Sequence, residues 1–269
     1  MLTRIISAIV AIAVFIGVVY FLPPVCFTLT VAAVMAIAAY EITLGSGIVR
    51  NKPLGIISCA FAAIVPLFIG FPMLEKYLFA VAFAGLVLFF CAWLAQYGKV
   101  SLVMVLSSFF GGVVLPLLFS MILKIRAVPH GEFWILFPFV AAWMTDTGAY
   151  FSGFFFGKHK LCENISPKKT VEGAIGGTVV CIFSLIAFGM IMEKSFGADI
   201  NITLLAIGAL VLSVLAQVGD LSFSIIKREY NIKDYGKLMP GHGGVLDRFD
   251  STMFTIPFSY ILLIIGGIL

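Results

Sequence analysis

Acidic side chains recur near the ends of apolar stretches in the second half of the sequence. Asp146 lies in "AAWMTDTGAYFSG" and Asp220 in "LAQVGDLSFSIIKR", while Asp247 and Asp250 lie in "GGVLDRFD". An ionisable residue inside an apolar segment is costly and usually faces a partner or a water-filled cavity. Carboxylates at this density suit Mg²⁺, which is typically held by one or two carboxylates together with substrate phosphates. These residues therefore predict metal-assisted chemistry on phosphate groups.

The segments around these acids favour phosphate binding. "PGHGGV" can present backbone N–H groups to an anion, because glycine tolerates positive φ, and it leads into a predicted helix start. "SPKKTVEG" places Lys168 and Lys169 just before another helix start. Further basic residues near these loops are Lys227, Arg228, Lys233, Lys237 and Arg248. Together these features indicate phosphoryl or nucleotidyl transfer.

A polar stripe runs along one predicted helix. Its members are spaced by 4, 3, 4 and 3 residues and therefore share a helix face: Ser213, Gln217, Asp220, Ser224 and Lys227. We expect this face to border a wet groove, with hydrogen bonding between helices as the alternative for Ser213 and Gln217. Glu41, in "AAYEITL", is another acid near the same membrane face, with an interfacial position or a supporting role as its two interpretations.

The elements that must position these residues are membrane spans. The chain is 62% hydrophobic and 11% charged, whereas soluble domains carry about 25% charged residues. Because about 20 apolar residues cross a membrane, we predict an all-α polytopic membrane protein with about nine transmembrane helices. The predicted spans are residues 5–22, 24–44, 53–72, 77–98, 101–123, 133–153, 171–193, 202–226 and 247–269. We interpret the first as a retained span and not as a cleaved signal peptide.

The distribution of basic residues predicts the orientation. With a cytoplasmic N-terminus and an outside C-terminus, only four of the 17 basic residues lie outside: Lys76, Lys124, Arg126 and Lys194. This bias follows the positive-inside rule. It indicates a multi-pass protein of the cell (inner, cytoplasmic) membrane, with cytoplasmic loops at 154–170 and 227–246. We expect residues 1–130 to form a transmembrane scaffold and residues 131–269 a catalytic region whose active site lies at the cytoplasmic face.

Residues 219–250, "GDLSFSIIKREYNIKDYGKLMPGHGGVLDRFD", resemble the signature of the phosphatidate cytidylyltransferase family, also called CDP-diacylglycerol synthases. The matching positions are Ser224, Lys227, Arg228, Lys233, Asp234, Gly236, Leu238, Pro240, Gly241, His242, Gly243, Gly244, Asp247, Arg248 and Asp250. Upstream, "DTGAYFSGFFFGKHKL" and "ISPKKTVEG" resemble a second conserved region of the family. The sequence departs from the family at Phe223, where Glu is frequent, and at Cys162 and Asn164, so the departures bear on details of binding and not on the reaction class.

The resemblance implies transfer of CMP from CTP (or dCTP) to phosphatidic acid, which gives CDP-diacylglycerol and pyrophosphate for phospholipid biosynthesis. On this basis we assign Asp220, Asp247 and Asp250 to catalysis and to Mg²⁺, with a second cation left open, and Lys227 to catalysis. The residues assigned to substrate binding are Asp146, Ser166, Lys168, Lys169, Ser224, Arg228, His242, Gly243, Gly244 and Arg248. His242 has hydrogen bonding within its loop as the alternative. The expected partners are CTP, phosphatidic acid and the lipid bilayer, with no nucleic acid; a homodimer is one candidate for the oligomeric state.

Two other functions remain open from the sequence. A CTP-dependent kinase of a polyprenol or other lipid alcohol would share the metal and the nucleotide but would need a general base for the alcohol. An ion-coupled transporter of an organic anion would use Asp146 and Asp220 as ion sites within the membrane. The grouping of charged residues at one membrane face, away from the midplane, argues against the transporter.

Overall fold

The computed structural model describes residue 10 and residues 13–197, 200–238 and 243–265, and it is mostly helical. The long helices of the first half are α1 (Pro24–Gly45), α2 (Lys52–Gly70), α3 (Leu78–Ala95) and α4 (Leu102–Arg126). Those of the second half are α5 (Phe137–Phe156), α6 (Val171–Phe196), α7 (Ile202–Glu229) and α8 (Thr252–Ile264). Short helical segments cover Gly17–Phe21, Pro72–Glu75, Gly131–Trp134 and Leu246–Phe249.

Six helices within the described part of the chain are long and apolar enough to cross a membrane: α1, α2, α3, α4, α6 and α7. The molecule is therefore a helical membrane protein with several spans, as the sequence predicts. The sixth predicted span corresponds to α5, and the ninth corresponds in part to the shorter apolar helix α8. Much of the first predicted span, residues 5–22, lies outside the described residues.

Local side chains explain where several helices begin. The side chain of Asn51 accepts a hydrogen bond from the Leu54 N–H at 3.1 Å, at the start of α2. The hydroxyl of Thr170 accepts one from the Gly173 N–H at 3.1 Å, at the start of α6. Each bond satisfies a donor that the first helical turn leaves without a partner. The start of α6 is thereby fixed immediately after the lysine-containing segment.

The helices form two compact units. The first consists of Met1–Lys124 with Tyr230–Phe249, and the second of Ile125–Glu229 with Asp250–Leu269. In the first unit, α2 packs against α1, α3 and α4; in the second, α5 packs along α6, and α7 contacts α5, α6 and α8. The sequence-based division into a scaffold (1–130) and a catalytic region (131–269) assigns functions to the two regions. This division stays a prediction.

Small residues bring α5 and α6 together. A Cβ atom added at Gly173 would lie 2.7 Å from the Ala149 carbonyl oxygen, and one at Gly177 would lie 2.6 Å from the Thr145 oxygen. These two glycines are four residues apart on α6, which is the small-xxx-small spacing that lets membrane helices approach closely. The contact fixes the part of α5 that carries Asp146.

The segment between α5 and α6 contains a feature that the predicted all-α class does not include. Strands β1 (Lys160–Cys162) and β2 (Ser166–Thr170) form a two-stranded antiparallel sheet in which Lys160 pairs with Thr170 and Cys162 with Ser166. Pro167 disfavours helical backbone at Ser166, which explains why this segment is extended. We call residues 158–170 the hairpin.

The ninth span also differs from the prediction. The sequence predicts one span over residues 247–269, but the structure has a short helix, Leu246–Phe249, then a turn, then α8. In the turn, Oδ1 of Asp250 accepts a hydrogen bond from the Ser251 N–H at 2.8 Å. Such a local bond competes with helical hydrogen bonding. Asp247 and Asp250 therefore belong to separate elements.

Candidate active site

Three carboxylates of the second unit lie near one another. Asp146 comes from α5, Asp220 from α7, and Asp250 from the turn before α8, and both Asp146 and Asp250 interact electrostatically with Asp220. We call these three residues the carboxylate cluster. Because like charges repel at short range, cations beside such a cluster stabilise its charged form.

Lysines supply positive charge to the carboxylate cluster. Lys169, in β2, forms an ion pair with Oδ2 of Asp220, and the two side chains are 27% and 25% exposed. Lys169 also interacts electrostatically with Asp146. Lys227, in the last turn of α7, interacts with Asp250. The structure therefore brings together five of the predicted site residues, three acidic and two basic.

The hairpin is held at both ends by hydrogen bonds. Glu172, in the first turn of α6, accepts from the backbone N–H groups of Lys158 at 3.1 Å and His159 at 3.2 Å. Its other oxygen lies 2.6 Å from Nδ1 of His159. On the other side, Nε of Arg228 donates to the Ile165 carbonyl at 3.2 Å. These bonds position the strand that carries Lys169.

The remaining predicted substrate-binding residues of the second unit lie on the same elements. Ser166 and Lys168 are in β2, and Ser224 is one turn beyond Asp220 in α7. Lys168 is exposed, whereas Ser166 and Ser224 are half-buried. Their role in binding stays a prediction.

The polar stripe on α7 divides into two parts. The hydroxyl of Ser213 donates to Oγ1 of Thr178 at 3.0 Å, and Nε2 of Gln217 donates to the Ala174 carbonyl and to Thr178, both at 3.3 Å. These bonds link α7 to α6, which is the alternative that the sequence left open for Ser213 and Gln217. Only the part of the stripe from Asp220 onward lies at the carboxylate cluster.

The first unit contains a second group of predicted site residues, in residues 234–238 and 243–247, which we call the glycine loop. Oδ2 of Asp247 accepts hydrogen bonds from the Tyr235 N–H at 2.8 Å and the Gly244 N–H at 3.0 Å, and Asp247 is only 7% exposed. Gly243 has a φ of +87°, so the glycine provides the backbone conformation expected of it. His242 lies outside the described residues. Arg248, just after the loop, is exposed.

Glu41, from a distant part of the chain, accepts hydrogen bonds from the backbone of the glycine loop. Its side chain is 2% exposed; Oε1 accepts from the Val245 N–H at 3.0 Å and Oε2 from the Leu246 N–H at 2.8 Å. Of its two sequence interpretations, the buried position favours the supporting role. The backbone N–H groups of residues 244–246 thus face protein carboxylates. Substrate binding by Gly243 and Gly244 stays a prediction.

The predicted metal ligands can be compared with the needs of Mg²⁺. Asp220 and Asp250 belong to the carboxylate cluster, whereas Asp247 belongs to the other unit. Among the described residues, no group of three or more His, Cys, Asp or Glu side chains has the arrangement of a metal site. Mg²⁺ does not need a cage made only of protein, because one or two carboxylates and substrate phosphates suffice. Asp220 and Asp250 provide two carboxylates, which match the type and the number of protein ligands that Mg²⁺ needs.

Comparison with known proteins identifies the family. Residues 2–265 match the family model described as "Cytidylyltransferase family", which covers nearly the whole chain. The chain belongs to the cytidylyltransferase family.

Curated relatives in this family include phosphatidate cytidylyltransferases from three staphylococci. The proteins from Staphylococcus haemolyticus, Staphylococcus epidermidis and Staphylococcus aureus are 47%, 48% and 46% identical to this chain over 134, 135 and 135 residues. Each alignment covers 50% of this chain and 50% of the relative. The chain thus spans about half the length of the curated relatives it matches.

The departures from the cytidylyltransferase pattern have identifiable places in the structure. Phe223 is 1% exposed on α7, so this position contributes to packing. Cys162 pairs with Ser166 in the hairpin, and Asn164 is exposed in its turn. None of the three carries charge.

Proposed function

We propose that the protein transfers CMP from CTP to the phosphate of phosphatidic acid, with CDP-diacylglycerol and pyrophosphate as products. Membership of the cytidylyltransferase family and the names of the staphylococcal relatives support this reaction. The structural observation that carries the proposal is the carboxylate cluster with Lys169 paired to Asp220. Charges of both signs meet there beside otherwise apolar helices, which is what a reaction between two anionic substrates requires.

The residues of the cluster suit the main barrier of this reaction. The phosphate of phosphatidic acid is already anionic, so it attacks the α-phosphate of CTP without a general base. The barrier is then the repulsion between two anions, and nearby cations lower it. In this proposal Lys169 and Lys227 contact phosphate oxygens, and Lys168 and Arg228 add positive charge for the departing pyrophosphate.

The acidic residues have a complementary role. Asp220 and Asp250 would hold Mg²⁺, and Asp247 remains a ligand predicted from the sequence, as does a second cation. When bound, Mg²⁺ neutralises charge on the nucleotide phosphates. Asp146 attracts Lys169 and repels Asp220, so it adds to the need for positive charge beside Asp220.

The membrane arrangement completes the proposal. We propose nine spans, made up of the six long apolar helices, α5, α8 and the segment before α1. The N-terminus would be cytoplasmic, the C-terminus outside, and the active site at the cytoplasmic face of the cell membrane. The distribution of basic residues supports this orientation. A homodimer remains one candidate for the assembly.

A labelling experiment tests the reaction and separates it from the alternatives. Purified protein in detergent is incubated with phosphatidic acid, Mg²⁺ and CTP labelled either in the base or at the γ-phosphate. We expect base label in the lipid extract and γ-label only in pyrophosphate. With a polyprenol as acceptor, γ-label in the lipid would instead identify a kinase. Absence of label from lipid with either acceptor would contradict both enzymes and favour transport.

A further inference from the structure

Glu41 is a buried acidic residue for which the proposed reaction supplies no role. It lies on α1, more than 100 residues before the carboxylate cluster in sequence, and it is 2% exposed. Burial of a charged group is costly unless hydrogen bonds compensate for the lost hydration. Here the backbone provides compensation, because the N–H groups of Val245 and Leu246 donate to the two carboxylate oxygens.

The glycine loop encloses this carboxylate from two sides. A Cβ atom added at Gly236 would lie 2.2 Å from Oε1 of Glu41, and one added at Gly244 would lie 2.5 Å from both carboxylate oxygens. These distances are far below van der Waals contact, so each position admits the carboxylate only as glycine. Residues from the beginning and the end of the loop therefore meet at a single side chain.

The backbone conformation of α1 changes at Glu41, the residue that contacts the glycine loop. The α-helical part ends at Tyr40, and Glu41–Gly45 is a π-helical turn. Single π-helical turns within α-helices are frequent at functional sites. The turn begins at Glu41, whose own backbone keeps helical angles of φ −62° and ψ −45°. Together with the two N–H donors and the two glycines, it indicates a specific docking arrangement for the glycine loop.

We propose that Glu41 is a positioning residue that holds the glycine loop in the conformation that binds CTP. Glu41 is too deeply buried to contact CTP, so it acts through the backbone N–H groups of Val245 and Leu246. Asp247 reinforces the same arrangement by accepting from Tyr235 and Gly244. The inference rests on the proposed function for its ligand, CTP. Its structural part, the fixing of the loop by Glu41, is independent of the reaction.

The first test is kinetic and uses Glu41→Gln, which keeps the size of the side chain. One accepting oxygen becomes an NH₂ group that faces a backbone donor, so the loop loses a hydrogen bond and the KM for CTP should rise about tenfold or more. The KM for phosphatidic acid should stay unchanged. Glu75→Gln is the matched control, because Glu75 is an exposed acid of the first unit that pairs with Lys124. A wild-type KM for CTP in Glu41→Gln would overturn the proposal.

The second test is a double-mutant cycle between Glu41 and Gly244. Gly244→Ala alone places a methyl group against the carboxylate, and we expect a loss of about tenfold in kcat/KM for CTP. In the Glu41→Ala background that clash is absent, so the same change should cost little further activity. If the two losses multiply instead, the two residues act independently and the positioning role is wrong.

The third test does not require turnover. Backbone amide exchange is followed in the peptide containing Val245 and Leu246, with full-length protein in detergent. Glu41→Gln should exchange these amides about tenfold faster than wild type, while Glu75→Gln should not. If the wild-type protein fails to transfer CMP, this measurement still decides whether Glu41 fixes the loop. Unchanged exchange in a folded Glu41→Gln protein would overturn the inference even when CMP transfer is demonstrated.

Discussion

At the scale of single residues, the ion pair between Lys169 and Asp220 is central to the proposed site. The sequence predicted both residues as site residues, because charge is rare in this apolar chain. It did not predict that they pair, since 51 residues separate them. Helical periodicity relates residues within a few turns of one helix, whereas this contact joins a strand to a helix.

The pair leads to a mutational prediction. Asp220→Asn keeps the size of the side chain but removes the charge that Mg²⁺ and Lys169 both use. We expect CMP transfer to fall about 10²–10³-fold in normally expressed protein. Lys169→Met should also lose activity, and the double variant should be scarcely worse than the more damaged single one, because the pair acts as a unit. Initial rates with labelled CTP measure these effects.

The control for this series is Glu163→Gln, an exposed acid in the turn of the hairpin, which should retain wild-type rates. Substantial CMP transfer by Asp220→Asn at ordinary Mg²⁺ would contradict the assignment. Asp220 would then be a residue that only links helices.

Glu41 shows where prediction from the sequence stops at this scale. A lone acid in an apolar helix is visible, but its hydrogen-bond partners are 204 and 205 residues away. Only the folded chain reveals that it meets the glycine loop. In contrast, Asp146, Lys227 and Asp250 were predicted as site residues from charge and local motif, and they lie together in the structure.

At the scale of elements, the hairpin is the piece that the sequence did not predict. Its strands contain three and five residues, too few for an alternating pattern to stand out. Its position depends on Glu172, which accepts from two backbone N–H groups and contacts the ring of His159. The element that carries Lys169 is thus fixed by side chains outside its own strands.

Removal of the Glu172 charge should loosen the hairpin. Glu172→Gln weakens the bonds to Lys158 and His159, so we expect faster trypsin cleavage after Lys158 or Lys160 and a lower rate of CMP transfer. An unchanged far-ultraviolet circular dichroism spectrum would show that the protein stays folded. Changes in trypsin cleavage and in the rate of CMP transfer would then come from the hairpin and not from global unfolding. Wild-type cleavage and rate in Glu172→Gln would show that the hairpin is held without it.

Close packing of α5 on α6 gives a prediction about stability. Gly177→Ala inserts a methyl group 2.6 Å from the Thr145 oxygen, so the helices must separate. Overpacking of this kind costs about 1–3 kcal/mol, and we expect a lower thermal unfolding midpoint in detergent. Gly17→Ala is the control, because its added Cβ meets no atom of the described residues within 4 Å. Equal unfolding midpoints for the two variants would mean that the α5–α6 interface accommodates the added methyl group without loss of stability.

At the scale of the whole molecule, the apolar runs predicted the helices well. The predicted span 53–72 corresponds to Lys52–Gly70, and the predicted span 202–226 corresponds to Ile202–Glu229. The packing of Tyr230–Phe249 with the first unit was not predictable, because no local pattern specifies which distant helices a loop will contact.

The orientation of the molecule is tested by cysteine labelling in intact cells. In a variant without the five native cysteines, Ser166→Cys should resist a membrane-impermeant reagent, because the basic hairpin is expected on the cytoplasmic side. Lys194→Cys, at the other end of α6, should be labelled from outside. The reverse pattern would invert the proposed topology.

The contact between Glu41 and Leu246 also constrains how the protein is made. A ribosome adds about 5–20 residues per second, so the 205 residues between them correspond to roughly 10–40 s of synthesis. During that interval α1 exists without the backbone donors that its carboxylate will later use. Water, lipid headgroups or the insertion machinery must solvate Glu41 until Val245 and Leu246 arrive. Synthesis of these two residues, and not insertion of the first helices, is therefore the event that closes the first unit.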